Sequence, residues 1–63
     1  MNNTELTLIG LGIAADHSLD VALRARADGS EAEAEAAAKR TIALLRLESR
    51  IKRGAVKIVE AAP

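Results

Sequence analysis

The chain has 63 residues, nine basic and nine acidic side chains, one histidine, no cysteine and no aromatic residue. That length holds one domain, residues 1–63, whose core has no disulfide, thiolate metal site or aromatic anchor to rely on. The cancelled charge argues against a protein whose main business is coating nucleic acid or an anionic membrane.

Asn2 or Asn3 opens a first helix over about residues 3–27, because either amide side chain can accept from a free first-turn N–H, and Glu5 suits the positive end of the helix. The apolar stretch of residues 6–15 is interrupted by Thr7, Gly10 and Gly12 and is shorter than the ~18 residues a bilayer span needs. No basic region precedes it, so neither a membrane segment nor a signal peptide is expected, and the chain reads as cytoplasmic. At 100° per residue, Leu8, Ile9, Leu11, Ala15, Leu19, Ala22 and Leu23 share one broad face, with Ala14, His17, Ser18, Val21 and Arg24 around the other side.

Two local patterns in this helix suggest chemistry. Leu6 to Ile9 followed by Gly10, Gly12 and Ala15 fits G-x-G-x-x-A after an apolar run, which resembles the dinucleotide-binding fingerprint. The fingerprint needs a second parallel strand ending in an acidic residue about 20 positions on, and that region instead opens a helix; no cofactor is expected. The glycines then admit a crossing helix or mark a kink. Asp16, His17 and Asp20 offer a metal site or a general base, but no second histidine completes a common zinc set, and a solvated helical flank accounts for them.

Gly29 supplies the left-handed residue of a helix stop, and Ser30 with Glu33 three positions on reads as a capping box. A second helix follows over about residues 30–53, with Ala34, Ala37, Ala38, Thr41, Leu44, Leu45, Leu47 and Ile51 on one face. Glu48 sits within that apolar stripe and requires a partner, for which Lys52 is one helical turn away. Charge is segregated along the helix, with Glu31, Glu33 and Glu35 first and Lys39, Arg40, Arg46, Arg50, Lys52 and Arg53 after, an order that complements the helix dipole. Both helices span roughly 36 Å and end flush, close at the alanine-rich turn end and splayed at the end carrying the bulky leucines. The fold class is therefore all-α, an antiparallel helical hairpin.

Gly54 stops the second helix and begins a tail, residues 54–63, whose Val56, Ile58 and Val59 are too apolar for a merely solvated end. It packs over the hairpin end or pairs as a short strand with another edge, while Ala61, Ala62 and Pro63 are expected to fray.

Eight leucines, five isoleucines and three valines exceed what two helices can cover, so a homodimer in the form of a four-helix bundle is expected. With no convergent nucleophile, base or metal set, the chain reads as a binding protein and not an enzyme. In size, compactness and lack of catalytic apparatus it resembles the small helical accessory proteins of temperate phages. That resemblance implies stoichiometric binding and inhibition of a host regulator or defence component. Arg46, Arg50 and Arg53 with Val56, Ile58 and Val59 are the candidate partner-binding residues. Two alternatives remain: an RNA-binding four-helix bundle resembling the Rop type in length and hairpin layout, and a nucleotide-binding oligomer.

Overall fold

Two helices, α1 (Asn3–Ala27) and α2 (Glu31–Lys52), pack antiparallel along their whole length. The structure, a computed structural model, describes residues 1–60; Ala61, Ala62 and Pro63, expected to fray, lie outside them. The hairpin is 49 × 20 × 12 Å, one helix pair wide and a single helix thick. No strand forms among the described residues, so residues 6–9 are helical and the nucleotide-binding pattern around Gly10 and Gly12 has no strand to precede it.

Both helices terminate in the same way. At the end of α1 the Gly29 N–H donates to the Arg26 carbonyl at 3.1 Å and the Ser30 N–H to the Ala25 carbonyl at 2.8 Å, the paired reverse bonds of a Schellman motif. At the end of α2 Gly54 donates to Ile51 at 3.1 Å and Ala55 to Arg50 at 2.9 Å. Each motif needs one residue with positive φ, and Gly29 (81°) and Gly54 (78°) supply it.

The helix starts differ. Asn2 is extended (ψ 171°), and its side-chain oxygen accepts from the Glu5 N–H at 2.8 Å. Ser30 has ψ 75° and its hydroxyl makes no capping bond, so the expected capping box does not form. The reason lies in the preceding turn: the Schellman closure commits the Ser30 backbone to a conformation outside the extended region from which a cap side chain reaches back. Only its carbonyl serves the new helix, accepting from Ala34 at 2.9 Å.

The seam between the helices is lined by small side chains. Ala15, Ser18, Ala22 and Ala25 of α1 and Ala37, Thr41 and Ile51 of α2 are buried, and Thr4, Leu8, Leu11, Ala34, Leu44 and Glu48 are half-buried. These positions recur in steps of three and four, residues 4, 8, 11, 15, 18, 22 and 25 against residues 34, 37, 41, 44, 48 and 51, which is the heptad spacing of a left-handed supercoiled pair. Counting outward from the turn sets Ala25 level with Ala34, Ala22 with Ala37, Ser18 with Thr41 and Leu8 with Ile51. The Thr41 hydroxyl is satisfied on its own helix, donating to the Ala37 carbonyl at 2.9 Å. Glu48 enters the seam with Lys52 at 2.9 Å, as its sequence context requires.

This seam is rotated from the expected one. Ile9, Leu19 and Leu23, placed on the packed face of α1 by bulk, are exposed, as are Ala38, Leu45 and Leu47 of α2; Ser18, placed on the far side, is buried. Small residues at heptad spacing, Ala15, Ser18, Ala22 and Ala25 against Ala34, Ala37 and Thr41, let the two backbones approach over the half of the hairpin nearer the turn.

Added methyl groups at the glycines test this architecture. A Cβ at Gly10 meets nothing within 4 Å, so Gly10→Ala should stabilise the fold by about 0.4–1 kcal/mol through helix propensity and chain entropy. Gly29→Ala and Gly54→Ala should each destabilise by about 1 kcal/mol, since alanine is strained at positive φ. Urea denaturation of the three variants measures the opposite signs.

Candidate interaction surface

With alanine, serine and threonine at most of the buried seam positions, the bulky aliphatics other than Ile51 and the half-buried Leu8, Leu11 and Leu44 are left outside. Leu6, Ile9, Ile13, Leu19, Leu23, Ile42, Leu45 and Leu47 are all exposed, Ile13 to 66% and Leu23 to 60%. All but Leu47 fall into two groups. On one flank Leu19 and Leu23 of α1 join Ala34 and Ala38 of α2 around a shallow concavity of about 560 Å³, rimmed by Arg26, Glu31 and Glu35. Ile42 and Leu45 continue the α2 side of that flank at one-turn spacing. Leu6, Ile9 and Ile13 lie instead on the outward side of α1, turned away from the seam.

The outward side of α2 is basic. Arg46, Arg50 and Arg53 recur at helical spacing and, with Ser49, line an open concavity of about 370 Å³. None of the three is in an ion pair among the described residues, whereas Asp20 holds Arg24 at 3.1 Å and Glu35 holds Lys39 at 3.2 Å. Those two pairs are largely exposed and contribute little to stability. Asp16 and His17 are exposed, Asp20 is engaged with Arg24, and no group of metal-binding side chains forms among the described residues.

The tail divides the predicted partner-binding residues. After Gly54 the chain crosses the open end of the hairpin, where Val56 and Ile58 are half-buried and Val59 is 87% exposed. It finishes against the start of α1. The Asn3 N–H donates to Glu60 Oε2 at 2.7 Å, the Thr4 N–H and hydroxyl donate to Oε1 at 3.1 and 2.9 Å, and Asn3 Nδ2 donates to the Val59 carbonyl at 3.0 Å. With the Glu5 N–H taken by Asn2, the first three amides of α1 all have side-chain acceptors. Glu60 is thus a capping carboxylate delivered from 57 residues away. The backbone N–H of Asn3, reinforced by the Thr4 hydroxyl and amide, holds its carboxyl below the ordinary value of 4.5. Nothing local in the sequence marks this role; an acidic residue ending an apolar tail is its only trace.

By length and composition α1 is also apolar enough to cross a membrane, a property that the interrupted run of residues 6–15 does not reveal. Comparison with family models, curated proteins and solved structures yields no match.

The Glu60 cap predicts an acid-sensitive fold. A carboxyl whose folded pKa is depressed adds stability above its unfolded value and loses it as pH falls through the folded one. The contribution should therefore be complete at neutral pH and fade from about 4.5 downward. Glu60→Gln should flatten this part of the Tm–pH curve, and hydrogen exchange should show the Asn3 and Thr4 amides losing protection in the variant.

Proposed function

We propose that the protein acts by stoichiometric binding and not by catalysis. The hairpin pairs with a second copy into a four-helix bundle, and the bundle binds and modulates another protein, of the kind a host regulator or defence component represents. One observation carries the reading: six of the seven buried seam residues are alanine, serine or threonine, with Ile51 the one bulky exception, while eight leucines and isoleucines of the two helices lie exposed. Burying a leucine or isoleucine contributes about 1.5–3 kcal/mol, several times what an alanine methyl offers, so the stronger driving force lies between molecules.

The two exposed groups have separate roles in this reading. The flank carrying Leu19, Leu23, Ile42 and Leu45 is continuous across both helices and suits a second hairpin laid against it. Leu6, Ile9 and Ile13 on the outward side of α1, and Arg46, Arg50 and Arg53 on the opposite edge formed by α2, stay available to the other protein. Apolar contacts supply affinity there, and the arginines supply orientation and association rate.

A membrane-spanning role for α1 has its length and apolar composition in its favour. Asp16 and Asp20 count against it, each costing about 2.5–3.5 kcal/mol near the bilayer centre. Pairing of two hairpins covers Leu19 and Leu23 of α1 without taking either carboxylate into hydrocarbon.

Leu45→Glu should convert the dimer to monomer or unfolded chain, read by sedimentation equilibrium and circular dichroism at micromolar concentration. A wild-type chain that sediments as a well-folded monomer refutes the dimer, and recovery of the protein with floated vesicles favours the membrane alternative. For the partner, affinity purification should retain a protein after nuclease treatment and lose it with Ile9→Asp or Ile13→Asp; loss on nuclease treatment indicates RNA instead.

A further inference from the structure

Resting on the reading that two hairpins pair, we infer the face, orientation and register of that pairing from the surface itself. The copy lies against the Leu19 and Ile42 flank with both of its helices reversed, α1 on the copy's α1 and α2 on the copy's α2.

The exposed flank of α2 carries its own heptad stripe, Glu35, Ala38, Ile42, Leu45, Ser49 and Lys52. Reversal about a twofold axis between residues 43 and 44 brings Ile42 opposite the copy's Leu45, Ala38 opposite its Ser49 and Glu35 opposite its Lys52. Large meets large at the centre, small meets small beyond it, and opposite charges close each end.

The antiparallel packing within the hairpin puts residues 15 and 16 of α1 at the level of that axis. The flank of α1 was not used to place it, so what the same axis does there is an independent check. Arg26 falls opposite the copy's Glu5, again opposite charges at the ends. Leu23 falls opposite Leu8, and Leu19 falls opposite Gly12. A Cβ at Gly12 would meet nothing within 4 Å, so this glycine leaves an open gap in the helix surface where the copy's leucine arrives. A glycine in a helix interior, otherwise unfavourable there, thereby gains a reason. Asp16 belongs to the same stripe and falls beside the axis, opposite the copy's Ala15, as the one charged side chain that the pairing brings near its centre.

The chain has no cysteine, so single cysteines report the register directly. In this pairing residue 38 of one chain is level with residue 49 of the other, whereas residues 38 and 38, or 49 and 49, are about 16 Å apart along the axis, beyond the ~7 Å that a disulfide spans. Mixing the Ala38→Cys and Ser49→Cys chains under mild oxidation should give the mixed disulfide dimer, with little of either homodimer. Gly12→Leu should weaken wild-type self-association at least tenfold in sedimentation, while Gly10→Leu, off this flank, should leave it unchanged. A wild-type dimer that yields no mixed disulfide, or that tolerates Gly12→Leu, overturns the register and leaves the pairing of hairpins standing. A monomeric wild-type chain overturns both.

Discussion

Close packing of two helices through alanine constrains everything else in this molecule. An alanine seam brings backbones near and holds the helices in register over some seven turns, yet each buried methyl removes little apolar surface from water. The four alanines buried at the seam organise the hairpin without supplying much of its stability. Most of the leucine and isoleucine that would supply it is displaced to the outer surfaces, with Ile51 the one such side chain fully in the seam. A chain arranged in this way is shaped by its internal contacts and stabilised by external ones, so that folding and association draw on different residues. Variants of Ala22 or Ala37 should act on shape, and variants of Leu19 or Leu45 on assembly.

Much of the hairpin was legible from residue type alone. Asn2, Gly29 and Gly54 mark helix ends through their own backbone chemistry, and Glu48 with Lys52 sits one turn apart on a helix. Such signals are local and survive any tertiary arrangement. The seam was legible in part: Ala15, Ala22, Ala37, Thr41 and Ile51 lie on the expected faces and are buried, but a periodicity weighted by hydrophobic bulk also draws in Leu19, Leu23 and Leu45, which are exposed, and leaves out Ser18, which is buried. A hydroxyl counts as polar in such a reading, which puts Ser18 on the far side, whereas Thr41, on its expected face, shows how a hydroxyl can be buried with its donor satisfied on its own helix. The Ser30 box failed for a related reason: its residues suit a cap, and the turn before it sets a ψ that a cap does not use.

The surface shows the same division. Arg46, Arg50 and Arg53 follow helical spacing, so their common side can be read directly and the structure brings them to one concavity. Val56, Ile58 and Val59 carry no periodic information, and the structure separates them: two lean over the hairpin end and one points outward. Glu60 could not have been anticipated, since its partners lie at the far end of the sequence.

That latch bears on the order in which the chain folds. Asn3 and Glu60 are 57 residues apart in sequence, a separation that would make their encounter in an unfolded chain slow and entropically costly. Once α1 and α2 have zipped from the turn, the start of α1 and the end of α2 already lie side by side, and only the short segment after Gly54 must close. The carboxylate therefore meets its amides as a late event made inexpensive by an earlier one. Its attachment and release form a local equilibrium on top of the folded hairpin, and kinetic measurements that follow the first turn of α1 should see a step that probes of the central seam do not.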